Sequence, residues 1–94
     1  MSLTFEWDPQ KAQINRRKHG VAFEEAATAF GDAMSLTIAD PDHSAEEQRY
    51  VLLGLSARGR LLAVAHTDRA DSIRIISARK ATKEEERAYG QSEG

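Results

Sequence analysis

The sequence contains no cysteine, and this absence excludes disulfide bonds, thiolate chemistry and cysteine-ligated zinc sites together. It has only two prolines, no low-complexity linker and no apolar run near the roughly 20 residues that span a membrane. Residues 1–7 carry a glutamate and lead into polar sequence, which is unlike a secretory signal. We therefore expect a cytoplasmic protein without a membrane segment.

The chain has 94 residues, of which 40% are hydrophobic and 30% are charged, a composition typical of one small folded domain. We expect this domain to span residues 1–94, with a frayed polar tail at 91–94. A domain of this size buries only about 60–65% of its unfolded surface, so a partner that covers more of it would add stability.

Charge is small in total but unevenly distributed along the chain. The formal net charge is −2, which argues against a protein that coats nucleic acid through bulk electrostatics. Residues 1–47 hold four Lys and Arg against nine Asp and Glu, whereas residues 48–94 hold nine against six. If the basic residues of the second half share one face, an acidic protein carries a local phosphate-binding surface.

The N-terminal third of the chain predicts one strand and two helices. Residues 3–7 alternate apolar and polar side chains with the period of a half-buried strand. Asp8 suits an N-cap, and the helix that follows covers Pro9–His19, with Gly20 in the stop position. A second helix is expected over residues 23–30, where apolar residues recur at helical spacing.

The middle of the chain predicts strands. Residues 34–39 alternate with period two, and a polar loop is expected at 42–48. Two apolar, β-prone segments follow, at residues 50–56 and 61–67. Gly59 between them can take the positive φ that a tight hairpin requires, so the two segments are predicted to pair.

The C-terminal part predicts a strand and a helix. Ser72–Arg79 is apolar on both faces, which favours a central strand. Thr82 and Glu85 form the capping box of a helix that runs to Tyr89 and is closed by Gly90. The order of elements indicates an α+β fold with a single twisted, mainly antiparallel sheet of four to five strands, two N-terminal helices and one C-terminal helix. We expect the helices mostly on one face of this sheet.

No standard catalytic or phosphate-binding motif is present, so the candidates for chemistry are individual basic and acid–base side chains. His66 ends an apolar strand and shares a face with Leu62 and Val64. A half-buried core histidine is the commoner outcome of this pattern, and general acid–base catalysis is the alternative, because imidazole titrates near neutral pH. The spacing of the three histidines does not predict a metal site.

Two arginines, Arg74 and Arg79, lie in or at the end of an otherwise apolar strand. A guanidinium held on a strand is suited to bind a phosphate and to stabilise charge that develops on it. Period two predicts that they lie on opposite faces, unless a β-bulge intervenes. Tyr89, near the end of the last helix, can stack on a base, although a core-facing aromatic is the commoner role.

Several patterns occur in order along the chain, from about Leu3 to Tyr89. They consist of the following segments and residues: Phe5-Glu6-Trp7-Asp8-Pro9, Lys11, Asn15, Lys18-His19-Gly20-Val21, Phe23, Ala26, Asp40-Pro41-Asp42-His43-Ser44, Gly59-Arg60, Arg74-Ile75-Ile76-Ser77-Ala78-Arg79, Glu86-Arg87 and Tyr89. Together these patterns resemble the BrnT toxins of bacterial type II toxin–antitoxin systems.

The resemblance implies a RelE-like ribonuclease fold and metal-independent cleavage of RNA that needs no cofactor. It also implies neutralisation by a cognate BrnA-like antitoxin with a ribbon-helix-helix DNA-binding domain. Because such an antitoxin is itself dimeric, we expect an assembly of two toxins with two antitoxins. That assembly is expected to contact operator DNA only through the antitoxin and to repress its own operon.

The implied reaction is a transesterification, in which the ribose 2′-OH attacks the adjacent phosphate. By residue type, His66 or Glu47 is expected to transfer the proton, and Arg74 and Arg79 are expected to bind the phosphate. An RNA-positioning role is expected for five basic or imidazole side chains and one aromatic: Lys18, His19, Arg58, Arg69, Lys80 and Tyr89.

Two other hypotheses stay open at this point. One is a catalytically inactive, toxin-like binding module that acts through antitoxin docking and operon autoregulation, and the other is a small structural or assembly protein. Substitution of Arg74 and Arg79 discriminates them, because loss of RNA cleavage with fold and antitoxin binding retained is expected only of an enzyme.

Overall fold

The structure is a computed structural model that describes residues 3–40, 42 and 47–91, with the side chain of residue 91 outside this set. The loop predicted at 42–48 and the tail predicted at 91–94 therefore lie largely outside the described residues. Within the described ranges, no helix is long and apolar enough to cross a membrane.

Five strands and three α-helices make up the described fold, and the predicted α+β class is confirmed. The strands form one sheet in the order β1-β5-β4-β3-β2, in which β1 runs parallel to β5 and all other neighbours are antiparallel. In chain order the elements are β1 (Thr4–Glu6), α1 (Pro9–His19), α2 (Phe23–Thr28), a 3₁₀ turn (Ala29–Gly31), β2 (Leu36–Ala39), β3 (Tyr50–Leu55), β4 (Leu61–Arg69), β5 (Ser72–Lys80) and α3 (Lys83–Gln91).

The predicted turn chemistry of α1 and of the β3–β4 hairpin is confirmed. The side chain of Asp8 accepts a hydrogen bond from the Gln10 N–H at 2.9 Å, and this bond caps α1. Gly20 ends the helix in the left-handed region, with φ of 70°, and its N–H donates to the Arg16 carbonyl at 2.9 Å. Gly59 takes a φ of 76° in the hairpin turn.

The start of α3 follows the predicted capping box, but its end does not follow the prediction. The Thr82 N–H donates to Glu85 Oε1 at 2.8 Å, and the Glu85 N–H donates to Thr82 Oγ1 at 3.2 Å. The helix then continues through Gly90 to Gln91, so the expected stop at Gly90 is wrong. A glycine ends a helix when it adopts positive φ, and Gly90 is not among the positive-φ glycines.

The two faces of the sheet are covered differently. The helices α1 and α2 pack on one face, and α3 packs on the other, where Tyr89 clusters with Leu53 and Ala63. Two of the three helices thus share one face. The larger core lies beneath them and consists of Val21, Phe23, Ala26, Ala29, Leu52, Leu62, Val64, Ile75 and Ala78.

Among the described residues, no strand pairs with the outer side of the second half of β5, because β1 pairs only with Ser72–Arg74. A buried side chain of α1, Asn15, covers this edge instead. Its Nδ2 donates to the carbonyls of Ala78 at 2.8 Å and Val21 at 2.9 Å, and its Oδ1 accepts from the Ala78 N–H at 3.0 Å. The predicted central position of β5 therefore holds only for its first part.

A buried ion pair joins α2 to the β3–β4 hairpin. The Glu25 carboxylate accepts from Arg60 Nε at 2.8 Å and from Ser56 Oγ at 2.7 Å, and Arg60 Nη2 donates to its second oxygen. These bonds, above all those from Arg60, lower the pKa of Glu25 from 4.5 to about 2. The carboxylate consequently stays charged inside the fold and anchors the helix to the sheet.

Candidate active site

A bulge interrupts the ladder between β4 and β5. Ala65 pairs with Ser77 and His66 pairs with Ile75, so Ile76 lies between two paired residues and has no partner on β4. An extra residue in one strand shifts the alternation of side chains by one position on the far side of the bulge. Side chains five positions apart in β5 are consequently brought to the same side of the sheet.

Arg74 and Arg79 are the residues that this shift brings together. Arg79 pairs with Ala63 and Arg74 pairs with Thr67, and these two β4 residues share one side by simple alternation. Ala63 clusters with α3, so both arginines lie opposite the layer of α1 and α2. We call this side of the sheet the arginine face. The bulge is the exception that the period-two prediction had allowed for, and it places the two arginines on one face of the sheet instead of on opposite faces.

Arg79 is held by a bidentate ion pair from α3. Its Nη1 and Nη2 donate to the two carboxylate oxygens of Glu85 at 2.7 and 3.0 Å. The pairing lowers the pKa of Glu85 and raises the pKa of Arg79. The Arg79 side chain is still 41% exposed, so an anion from solvent can reach it.

Arg74 belongs to a second polar group at the other end of the arginine face. Its Nη1 donates to Glu6 Oε2 at 2.8 Å, and Ser72 Oγ donates to Glu6 Oε1 at 2.6 Å. The bonds from Ser72 and Arg74 lower the pKa of Glu6. Arg69 and Glu47 line the same depression as Glu6, and Arg69 Nη2 donates to Glu47 Oε1 at 3.1 Å.

A cavity of about 230 Å³ lies beside Arg79 on the arginine face. Asp40 and Arg49 border this cavity together. Sequence reasoning named Asp40 only as part of the resemblance and did not name Arg49 at all. Their proximity could have been predicted, because Asp40 follows β2, Arg49 precedes β3, and antiparallel pairing brings these positions opposite each other. The Asp40 N–H donates to the Arg49 carbonyl at 2.9 Å. The residues that line the cavity are Asp40, Arg49, Val51, Ala63, Ala65, Ser77 and Arg79.

His66 lies on the opposite side of the sheet from the two arginines. It is only 5% exposed, with its ring edge-on to Phe30 at 4.8 Å and stacked on Tyr50 at 5.8 Å between centroids. Its Nδ1 lies 3.1 Å from the Val64 carbonyl, and burial lowers its pKa, which favours the neutral ring. The structure therefore does not join His66 with Arg74 and Arg79 in one site.

The remaining predicted RNA-positioning residues are dispersed. Lys18 and His19 line a groove between α1 and β5. Arg58 lies in the hairpin turn, 72% exposed and 3.7 Å from Glu25. Lys80 follows Arg79 in β5 and pairs with Leu62, which alternates to the side of α1 and α2. The described geometry thus places Arg58 and Lys80 away from the arginine face.

Tyr89 is part of the core, which is the commoner of the two roles expected for it, and stacking on a base stays a prediction. The side chain is 8% exposed, and its hydroxyl donates to Asp32 Oδ2 at 2.6 Å. The same oxygen accepts from the Leu55 N–H at 2.9 Å, so Tyr89 ties α3 to the end of β3. Its helix turns it inward, toward Leu53 and Ala63.

In chemical terms the arginine face offers guanidinium groups for a phosphate and carboxylates for proton transfer. Its guanidinium groups include Arg49, Arg74 and Arg79. Its carboxylates are Glu6 and Glu85, which bind Arg74 and Arg79, together with Asp40 in the Arg79 cavity and Glu47 beside Arg69. Within the described residues, no group of three His, Asp or Glu side chains is placed to hold a metal ion.

A small α+β fold that presents several guanidinium groups on one face of its sheet has the features of a candidate phosphate-binding protein. The family model described as the ribonuclease toxin BrnT of type II toxin–antitoxin systems matches residues 7–85. The chain is therefore a member of the BrnT family, as the resemblance implied.

A solved structure supports the same assignment. The chain is similar to the Brucella abortus ribonuclease toxin BrnT, with 25% sequence identity and a TM-score of 0.65. The match covers 87% of this chain and 100% of the Brucella chain. A comparison with curated protein sequences finds no match.

Proposed function

We propose that this chain is an endoribonuclease that cleaves RNA on the arginine face without a metal ion and so inhibits translation until its antitoxin binds. Family membership supports a ribonuclease toxin. The bulge at Ile76 supports this location of the site, because it puts Arg74 and Arg79 on one side of the sheet. Two strand-borne guanidinium groups on one face suit a polyanionic, extended substrate.

The proposed reaction is a transesterification within the RNA strand. A base on the protein removes the proton of a ribose 2′-OH, and that oxygen attacks the adjacent phosphate. Arg79, with Arg49 across the same cavity, stabilises the charge that builds up on the phosphorane. The 5′-oxygen leaves with a proton, and the products are a 2′,3′-cyclic phosphate and a 5′-hydroxyl end.

The proton-transfer group of this proposal is a carboxylate and not His66, because the imidazole lies on the other side of the sheet. Asp40 shares the cavity of Arg79, and Glu47 borders the depression beside Arg74. Asp40→Asn and Glu47→Gln each remove a charge with little change of shape. Loss of the cleavage rate in one variant identifies the group, and a wild-type rate in both variants contradicts a base at either position.

The experiment is a cleavage assay of the purified chain on labelled mixed-sequence RNA with EDTA, followed by analysis of the ends. We expect cyclic phosphate ends from the wild type and a loss of about 10²- to 10³-fold in rate for Arg79→Ala. Arg87→Ala is the matched control, because it removes the same charge from an exposed position of α3. Equal rates for the two variants would contradict the site.

The inactive binding module is the second candidate, and the ion pairs of both arginines favour it, since Glu6 and Glu85 already neutralise them. Ribosome-bound RNA is therefore assayed beside free RNA. Cleavage of neither substrate, with antitoxin binding retained, would refute the enzyme and leave the binding module.

The BrnT family belongs to type II toxin–antitoxin systems, in which the toxin has an antitoxin partner. We propose a dimeric BrnA-like ribbon-helix-helix antitoxin, an assembly of two toxins with two antitoxins, operator binding through the antitoxin alone and action in the cytoplasm. Light scattering of the co-purified complex measures the assembly, and operator binding by the toxin alone would contradict the division of roles.

A further inference from the structure

A basic groove runs between α1 and the outer edge of β5, next to the arginine face. Its cavity is about 190 Å³ and forms where β5 has passed its three-residue pairing with β1. The groove is lined by Lys11, Ile14, Asn15, Lys18, His19, Ile76 and Ser77. No acidic residue is among these lining residues.

The groove is continuous with the proposed cleavage site through one residue. Ser77 lines this groove and also lines the Arg79 cavity. The bulge explains the double exposure, because Ile76 has no partner on β4 and β5 is irregular at this point. A strand bound at Arg79 can therefore continue over the edge of the sheet onto α1.

The side chains of the groove suit a single-stranded nucleic acid. Lys11, Ile14 and Lys18 follow each other at helical spacing on one face of α1. The two lysines are separated by about 10 Å along the helix axis, so each one meets a different phosphate. Ile14 is 61% exposed between them and offers an apolar surface to a ribose or base. Neither lysine forms an ion pair with a described carboxylate.

We infer that the α1–β5 groove binds the RNA strand beyond the cleaved bond, with Lys11 and Lys18 on two successive backbone positions and Ile14 beneath the nucleotide between them. The inference rests on the proposed function, because it extends the path of the substrate from the Arg79 cavity. It predicts that long RNA gains affinity from contacts that a very short RNA does not reach.

The test compares Lys11→Ala/Lys18→Ala with the control Arg16→Ala/Arg17→Ala, which removes the same charge from α1. Arg16 lines a different cavity, beside Trp7, and neither control position lines the groove. We expect the groove variant to lower kcat/KM on a long RNA about tenfold through KM, with a smaller loss on a trinucleotide that contains the same bond. Equal losses for both variants would overturn the inference.

A binding measurement separates this inference from the proposed function. For RNA binding without turnover, the slope of log K against log[salt] should be smaller in magnitude by about 1.4 in the groove variant, since each phosphate of a single strand contributes about 0.7 to this slope. If the wild-type chain binds RNA without cleaving it, the proposed function is refuted. The salt dependence of RNA binding still tests the groove in that case. An unchanged slope overturns the inference. A groove variant that keeps this slope but loses affinity for the antitoxin overturns it as well.

Discussion

Three residues fix the layer of α1 and α2 on the sheet, and each does so by a different physical means. Asn15 supplies the hydrogen bonds that a further strand would have given to Ala78. Glu25 supplies a buried charge to Arg60. Gly54 supplies space, because a Cβ built on it would lie 2.7 Å from the Ala29 carbonyl oxygen. The stability of the fold is therefore sensitive to single atoms at these positions.

Glu25→Gln should lower the free energy of unfolding by about 3 kcal/mol at neutral pH, because it leaves Arg60 without its buried partner. The pKa of Glu25 is lowered from 4.5 to about 2, so its contribution is complete above pH 4.5 and disappears as the pH falls toward 2. Urea denaturation over this pH range measures it. Glu24→Gln, an exposed neighbour on α2, is the control, and an identical pH profile for both variants would contradict the role of Glu25.

Gly54→Ala should destabilise the protein by about 1–3 kcal/mol, because the added methyl meets the backbone oxygen of Ala29, which the 3₁₀ turn holds in place. Gly31→Ala is the matched control, since nothing lies within 4 Å of its Cβ position and its φ is not positive. The midpoints of urea denaturation of the two variants measure the difference in stability. A midpoint for Gly54→Ala equal to that of the control would show that the 3₁₀ turn can move away.

At this scale the sequence predicted some residues well and others incompletely. Asp8, Gly20 and Gly59 were predictable because caps and tight turns depend on a few adjacent residues. The side chains of His66 and Tyr89 were not assigned with certainty, because their burial depends on Phe30 and Asp32, which lie far away along the chain. Local pattern gives the strand or helix of such a residue but does not reveal its neighbours.

Among the elements, β5 and α3 determine the state of the proposed site. β5 carries the bulge and both arginines, and the first turn of α3 contains Glu85, which serves two purposes. Its Oε1 accepts from the Thr82 N–H in the capping box and from Arg79 Nη1 in the ion pair. The start of the helix and the position of the guanidinium are thus coupled, so a change in α3 also changes the position of the Arg79 guanidinium.

Glu85→Gln should raise the affinity for RNA about tenfold, because it frees the Arg79 guanidinium for phosphate while glutamine still serves in the capping box. The free energy of unfolding should fall by about 1 kcal/mol, as expected for a partly exposed ion pair. Fluorescence anisotropy with labelled RNA measures the affinity. Glu84→Gln on the same helix controls for net charge, and an equal gain in that variant would show that bulk electrostatics, not Arg79, is responsible.

The order of the helices and strands could be predicted from the sequence, whereas their pairing and packing could be predicted only in part. Hydrophobic period and turn residues were sufficient to predict the helices and strands of the described chain. The unpaired Ile76 was not predictable, because a bulge is a property of two strands together. The candidate site was therefore incomplete at the sequence level, since both its arginine face and its Arg49 depend on pairing across the sheet.

At the scale of the whole molecule, a net charge of −2 coexists with a local basic surface. The first half of the chain supplies most of the acidic residues, and Glu6 and Glu25 from it are already paired with arginines of the second half. The surplus of positive charge in the second half is thereby partly neutralised inside the fold. The proposed phosphate binding consequently depends on particular positions, and not on the overall charge of the protein.

Binding of the cognate antitoxin should raise the thermal stability of this chain in a concentration-dependent way. A ligand that binds only the folded state adds about 2.7 kcal/mol at a hundredfold excess over Kd. For a domain of this size, that corresponds to a rise in Tm of roughly 10–20 °C. The effect is expected to be large because a small domain buries a limited share of its surface and gains from additional contact.

Thermal unfolding at increasing antitoxin concentrations measures this effect, with an antitoxin of an unrelated family as the control. The cognate protein should raise Tm continuously beyond saturation, because mass action and not a fixed number of contacts sets the shift. A Tm that stays constant under excess cognate antitoxin would contradict the prediction, because it would show that the antitoxin does not bind the folded chain in preference to the unfolded chain.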